Sequence, residues 1–194
     1  MDVFELVKAN RSCRRFDQFS DHKIDISTLK KLVDLGRCSA SAANLQPLKY
    51  MIAASSEKNE EIFSCLTWAA YLKNWQGPKQ GERPAAYIVI MGDTTITKNF
   101  RCDHGIAAQS ILLGARSIGF AGCMLAAINR KKLKAFLNLE DHLEILLVIA
   151  LGKPMEKVKL ESLDPGGDIK YWRDDDDIHH VPKRGLGEII LASW

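Results

Sequence analysis

The chain has 194 residues, of which 46% are hydrophobic and 26% charged, and its formal net charge is +3. A chain of this length closes a single hydrophobic core, so we predict one domain over residues 1–194. The composition excludes disordered, collagen-like and coiled-coil proteins. The net charge is too small to indicate a nucleic-acid partner by itself, and we predict none.

Compartment and membrane topology follow from three further features. The longest apolar run, residues 145–151, is far shorter than the roughly 20 residues that cross a bilayer. Residues 1–5 carry acids where a signal peptide carries lysine or arginine. The five cysteines are odd in number and contain no C-x-x-C pair, which argues against a disulfide framework. We therefore expect a cytoplasmic protein without a membrane anchor.

Hydrophobic periodicity predicts eight helices and strands before residue 152. The last of them is nearly all apolar, which is typical of a central strand. In chain order we predict a helix over 2–9, a helix from an N-cap at Ser27 to about Cys38, a strand over 48–54, a helix from Glu57 to about Trp68, a strand over 85–91, a helix that opens at Asp103 and is ended by Gly119, a helix over 131–137 and a strand over 144–151.

The C-terminal part changes character. Residues 161–184 are polar and show neither helical nor strand periodicity, so we expect this tail, about 161–194, to lie over the core or to reach a partner subunit. Its last nine residues turn apolar again and require a docking surface. Asp174–Asp177 are followed by His179 and His180, but consecutive ligands cannot all converge on one ion. We therefore predict a solvated loop there and no metal site.

Arg11, Ser12, Arg14 and Arg15 lie within five residues of one another. In an extended segment Arg11 and Arg15 would share one face, while Ser12 and Arg14 would share the other. Guanidinium groups and a hydroxyl that converge suit a phosphate, through charge-assisted hydrogen bonds. The residues alone leave a solvated basic turn as the alternative.

The loop at 39–47, S-A-S-A-A-N-L-Q-P, is built from small and polar residues. Its hydroxyls, its backbone amides and the side chains of Asn44 and Gln46 could bind the polar edge of a flat heterocycle, and its alanines would let the ring come close. The alternative is a plain connection between a helix and a strand.

These blocks resemble the nitroreductase family when they are taken together. They are R-S-C-R-R-F at 11–16, the loop at 39–47, D-H-G-I-A-A-Q-S-I-L-L-G-A-R-S-I-G-F-A-G-C at 103–123, the strand that ends L-V-I-A-L-G-K-P, and K-R-G-L-G-E-I-I-L near the C-terminus. The resemblance implies an α+β fold with a mainly antiparallel central sheet flanked by helices. It also implies an intertwined homodimer with two FMN sites at the subunit interface.

The activity that the resemblance implies is hydride transfer from NADH or NADPH, through flavin N5, to a small electrophilic acceptor such as a nitroaromatic or a quinone, by a ping-pong mechanism. No side chain is expected to act as acid, base or nucleophile, because the cofactor supplies the chemistry. The alternatives are a flavoprotein of the same fold with another reaction, reductive dehalogenation or dehydrogenation, and a non-enzymatic module that binds through its basic residues.

Two sets of site residues follow from the same resemblance. Arg11, Ser12 and Arg14 would hold the phosphate and ribityl end of FMN or its pyrimidine edge, and Lys183 or Arg184 would add charge at the phosphate.

The second set surrounds the ring system. Backbone groups around Leu125 and Ala126 would approach its reactive edge. The loop at 39–47 of a partner subunit would flank it, through Ser41, Ala42, Asn44 and Gln46. The sequence departs from the family pattern at Asn10, Ala40 and Ala126, which puts single contacts in doubt.

Overall fold

The computed structural model describes residues 1–72 and 74–194 and shows an α+β fold. Its described part contains a four-stranded sheet with helices on both faces and a three-stranded sheet formed by the C-terminal tail. The elements are α1 (Val3–Ala9), α2 (Ile26–Arg37), β1 (Leu48–Ala53), α3 (Ser56–Phe63), β2 (Ala86–Asp93), α4 (Asp103–Ser117), β3 (Ala121–Leu125), α5 (Arg130–Phe136), β4 (Leu143–Gly152), β5 (Val158–Leu163), β6 (Trp172–Arg173), β7 (His179–Arg184) and α6 (Leu186–Ile189).

The main sheet is antiparallel throughout and has the strand order β1-β2-β4-β3. Every residue of β2 is buried, and β4 lies between β2 and β3. The prediction of a central apolar strand at 144–151 is therefore confirmed. The antiparallel sheet that the family resemblance implies is confirmed with it.

The two faces of the sheet carry two separate cores. Ile88 and Ile90 of β2 face α2 and α4, whereas Tyr87 and Val89 face the side of α3 and α5. Helices α2 and α4 approach each other closely at Gly114. A side chain at this position would overlap Leu35 of α2. Alternation along β2 thus anchors helices on both sides of one strand.

Two sequence predictions about element ends need correction, and one strand is absent from the sequence predictions. The N-cap of α2 is Asp25, whose carboxylate accepts the Thr28 N–H at 2.7 Å; Ser27 lies inside the first turn and donates to that same carboxylate. Helix α3 ends at Phe63, well before Trp68, which is buried in the following loop. Strand β3 was not predicted, because glycine and cysteine break its apolar pattern.

The arginine-rich segment at 10–16 lies against the edge of the main sheet. The Cys13 N–H donates to the Gly122 carbonyl at 3.0 Å, and Phe16 forms a bridge with Pro154. Cys13 and Phe16 are buried, and burial raises the pKa of the Cys13 thiol to about 12. These inward side chains fix the segment, so that its polar residues face away from the sheet.

The prediction that the tail lacks strand structure is wrong. Strand β7 pairs in parallel with β5 and antiparallel with β6. The predicted solvated loop is also wrong for both histidines, since His179 is 1% exposed and His180 is 9% exposed. Hydrophobic periodicity could not reveal this sheet because charged and polar pairs stabilise it. The end of the chain, by contrast, presents Leu191 and Trp194 to solvent.

Within the described residues, no helix is both long and apolar enough to cross a membrane.

Candidate functional site

A cavity of about 350 Å³ lies between the segment at 10–16, helix α4, strand β3 and the tail sheet. The structure brings to it four residues that the family resemblance implies, from opposite ends of the chain. These are Arg11, Ser12, Arg14 and Lys183. Tyr171 and His179 of the tail form another part of its wall. The segment at 10–16 and the tail sheet therefore both contribute walls to one cavity.

Arg14 presents its positive charge to this cavity without a carboxylate partner among the described residues. One guanidinium nitrogen lies 3.5 Å from Nε2 of His179, and the guanidinium carbon lies 5.1 Å from the centre of the Tyr171 ring. An imidazole and an aromatic ring orient a guanidinium but do not neutralise it. The charge of Arg14 remains available to an anion.

Arg11 adds a second such charge. One terminal nitrogen donates to the Val7 carbonyl at 2.7 Å, while the buried Nε has no partner among the residues that the structure describes. A buried N–H without an acceptor destabilises the folded protein, so a ligand that accepts a hydrogen bond from it would be favoured. Together with Arg14, Lys183 and the Ser12 hydroxyl, this orphaned N–H is the donor set that suits a phosphate.

Arg15 has a different role. Its Nε and one terminal nitrogen each donate to the Glu82 carboxylate at 2.9 Å, and it also pairs with Asp177. The hydrogen bond from Arg15 lowers the pKa of Glu82. The expectation that Arg11 and Arg15 share a face is wrong. The segment is not a regular strand, and Arg11 lies in the cavity with Ser12 and Arg14.

The surroundings of His179 favour its neutral form. Burial lowers its pKa, although Glu156 opposes this effect, and the charge of Arg14 lowers it further. Because the guanidinium of Arg14 can only donate, Nε2 of His179 must be an acceptor and Nδ1 must carry the hydrogen. A neutral acceptor at this place fixes the orientation of Arg14 without adding a charge.

The loop at 39–47 is not part of this cavity in a single chain. The Ser41 hydroxyl donates to the buried Asp103 carboxylate at 2.6 Å, and the Ala42 N–H donates to it at 3.1 Å. Asn44 and Gln46 both adopt positive φ angles, 54° and 51°. Such strained backbone persists only where its surroundings fix it, and it clusters at functional sites. The loop borders a separate cavity of about 160 Å³.

The remaining predicted residues lie near the cavity that Arg11, Ser12, Arg14 and Lys183 line, called the Arg14 cavity below, or outside it. Met124 lines the cavity, whereas Leu125 is buried in the main sheet and Ala126 is exposed. Arg184 pairs with Glu188 and does not line the cavity, so Lys183 is the cation that the tail contributes.

Sequence reasoning missed His179 and Tyr171. A signal for His179 was present, because residues 179, 181 and 183 of one strand share a face, and all three line the cavity. The polar composition of the tail hides this signal, because it shows no strand periodicity over residues 161–184. Tyr171 precedes the short strand β6 and carries no such pattern.

The fold and the cavity define a class of protein: an antiparallel α+β protein whose sheet edge carries a basic cavity suited to a phosphorylated ligand. Residues 7–153 match the model of the nitroreductase family. The chain belongs to this family, whose members are FMN-dependent oxidoreductases.

The chain is similar to several known sequences and structures. It is 27% identical to a protein of Methanothermobacter thermautotrophicus named as an NADH dehydrogenase/NAD(P)H nitroreductase, over 85% of this chain and 84% of the relative. It is 23% identical to the NADPH-flavin oxidoreductase of Vibrio harveyi, over 84% and 70%. An NADH dehydrogenase/NAD(P)H nitroreductase structure from Parabacteroides distasonis, 25% identical, superposes with a TM-score of 0.64 over 79% of this chain and 88% of that one.

Proposed function

We propose that this enzyme transfers hydride from NADH or NADPH, through bound FMN, to a small electrophilic acceptor such as a nitroaromatic or a quinone, by a ping-pong mechanism. The observation that carries the proposal is the cavity in which Arg11, Ser12, Arg14 and Lys183 meet. Three cations without carboxylate partners in the described structure fit the phosphate of FMN better than they fit a neutral ligand. The names of the relatives support the two nicotinamide donors.

FMN supplies the redox chemistry when it is bound, and the protein binds and orients it. Arg11 and Arg14 would bind the phosphate from one side, and Lys183 from the other. Met124 lines the inner wall, so the backbone at Leu125 and Ala126 would lie towards the reactive edge of the ring. We assign no side chain to proton transfer.

We further propose a homodimer in which the loop at 39–47 of a second copy completes each site. None of Ser41, Ala42, Asn44 and Gln46 lines the cavity of its own chain, so another copy would have to bring them to the flavin. Leu191 and Trp194 are exposed at the chain end, and within residues 1–72 and 74–194 strand β1 pairs with β2 alone. Exposed apolar residues and an open strand edge favour association.

The state of the cysteines supports the cytoplasmic location that we propose. In the described part of the chain all five are unpaired, as expected in a reducing compartment.

A titration of the apoprotein with FMN tests the site. We expect the double substitution Arg11→Ala and Arg14→Ala to weaken FMN binding at least about 100-fold, because two charge-assisted hydrogen bonds are lost. The control is Lys30→Ala with Lys31→Ala on the exposed side of α2, which makes the same change in net charge. Equal FMN affinity in the two double variants would refute the assigned site.

The reaction itself is tested by anaerobic stopped-flow absorbance. NADH or NADPH should bleach the flavin of the holoenzyme, and a nitroaromatic or a quinone should restore it. Steady-state rates should give parallel double-reciprocal lines, since donor and acceptor use one site in turn. Intersecting lines would contradict the ping-pong mechanism, and a monomeric mass by light scattering with FMN bound would contradict the dimer.

A further inference from the structure

Glu156 is a fully buried carboxylate behind the Arg14 cavity. Its side chain is 0% exposed, and it lies in the connection between β4 and β5. One carboxylate oxygen accepts the backbone N–H of Arg14 at 2.7 Å, and the other accepts from the Arg173 guanidinium at 2.6 Å. Arg14 and Arg173 thus supply the hydrogen bonds that a buried charge needs, and losing them is costly. Nδ1 of His179 lies 4.0 Å away, beyond hydrogen-bond distance.

The groups around Glu156 come from the parts of the chain that form the cavity. Arg14 belongs to the segment at 10–16, whereas Arg173 and His179 belong to strands β6 and β7 of the tail. The side chain of His179 is also the group that lies beside the Arg14 guanidinium, at 3.5 Å. Glu156 therefore fixes Arg14 through its backbone and lies against the residue that orients its side chain.

This arrangement separates two kinds of contact with Arg14. The carboxylate binds the backbone N–H, while the guanidinium lies beside His179 and the Tyr171 ring and pairs with no carboxylate in the described structure. Had the carboxylate paired with the guanidinium, as Glu82 does with Arg15, it would have neutralised the charge. In the observed arrangement, Glu156 holds the backbone of Arg14 and leaves the positive charge of the Arg14 guanidinium directed at the cavity.

We propose that Glu156 is a positioning residue that aims Arg14 at the phosphate group of FMN and couples phosphate binding to the tail sheet. This inference rests on the function proposed above. A purely structural role for Glu156 would weaken binding of every flavin alike. A positioning role acts on the phosphate alone, so it alters the discrimination between FMN and riboflavin, which has the same ring system without the phosphate.

The experiment compares Glu156→Gln with the wild-type protein in fluorescence titrations with FMN and with riboflavin at one ionic strength. We expect FMN to bind about tenfold more weakly to the variant, as for the loss of one charge-assisted hydrogen bond, and riboflavin affinity to stay unchanged. An unchanged or increased preference of the variant for FMN would overturn the proposal.

The matched control is Glu161→Gln, in strand β5 of the same sheet. Glu161 pairs with His180 and Lys159 and has no contact with Arg14. This variant loses a carboxylate of the tail but should keep the wild-type ratio of FMN to riboflavin affinity. A fall in that ratio equal to that of Glu156→Gln would show a general effect of the tail and would overturn the specific role.

A second measurement serves if Glu156→Gln does not fold. In the wild-type protein, saturating FMN should protect the tail from limited proteolysis several-fold more than saturating riboflavin does, because only FMN engages Arg14 through its phosphate. Equal protection would overturn the coupling. If the wild-type protein binds neither flavin, the proposed function itself fails. If it prefers FMN but the variant keeps that preference, only the role of Glu156 fails.

Discussion

The two sheets of this protein are stabilised by different forces. All eight residues of β2 are buried, and the buried side chains around it are almost entirely apolar. In the tail sheet β5 has no buried residue, and the buried positions of β7 are His179 and His180. Around them lie the carboxylates and guanidinium groups of Glu156, Arg173 and Asp174.

The difference bears directly on function, because the cavity lies between the two sheets. The main sheet supplies an edge for the segment at 10–16, and the stability of this sheet depends mainly on apolar burial, which protonation does not alter directly. The tail supplies Lys183 and His179 through polar pairs, whose strength depends on protonation and ionic strength. The cavity therefore has one fixed wall and one wall that responds to conditions.

The largest expected effect is in the main sheet. Ile149 of β4 is 0% exposed, and truncation to alanine removes buried methyl groups and leaves a space. We expect Ile149→Ala to lower the free energy of unfolding by about 2–5 kcal/mol, measured by urea denaturation. The exposed Ile169 in the tail is the comparison site, and there alanine should change stability by less than about 0.5 kcal/mol. Similar losses at both sites would show that the contrast between the two regions is false.

An intermediate effect is expected where the tail meets the rest of the protein. Arg15 donates twice to Glu82 and also pairs with Asp177, so it links the loop before β2 to the tail. Glu82→Gln should cost about 1–2 kcal/mol, between the values for a buried and an exposed ion pair.

The pH dependence of this link has a definite sign. The pKa of Glu82 is lowered in the folded protein by the hydrogen bond from Arg15. Its contribution is present above the pKa of the unfolded chain and is lost as pH falls through the folded value. Urea midpoints from pH 3 to pH 7 measure it. A wild-type curve that is parallel to the Glu82→Gln curve over this range would rule the contribution out.

The same contrast explains what could be predicted from the sequence. The central strand at 144–151 and the helix opened by Asp103 follow from hydrophobic periodicity, because apolar burial sets that pattern. The tail strands do not, because their stabilising groups are charges whose partners are distant in sequence. Glu156 carries no signal in its own neighbourhood. Only the fold brings its carboxylate to the Arg14 backbone, 142 positions away.

The candidate site was predictable to a similar degree. The arginines at 11–15 alone left a solvated turn open, and the family resemblance pointed to Arg14 and Lys183. Spacing could not separate Arg14 from Arg15, because the pairing of Arg15 depends on Glu82, in a loop far along the chain. The charge left uncompensated after folding, rather than the number of arginines, marks the candidate site.

The smallest effect concerns His180, and it is confined to the tail. Its imidazole lies between the carboxylates of Glu161 and Asp174, at 2.6 and 2.9 Å, and stacks on the Trp172 ring. Lys159 is a nearby cation and pairs with Glu161. The hydrogen bonds to Asp174 and Glu161 raise the pKa of His180. The stabilisation is thus complete below the unfolded value of about 6.5 and is lost as pH rises through the folded value.

Burial gives His179 the opposite behaviour, since its lowered pKa removes stability only as pH falls below about 6.5. The two histidines therefore act in separate pH windows, and limited proteolysis of the tail between pH 6.5 and 8.5 reports His180. We expect cleavage to accelerate with pH in this window after correction for protease activity, and His180→Gln to abolish that dependence. If the variant keeps the wild-type slope, the carboxylates around His180 do not control the tail, and its wall of the cavity does not respond to pH through this residue.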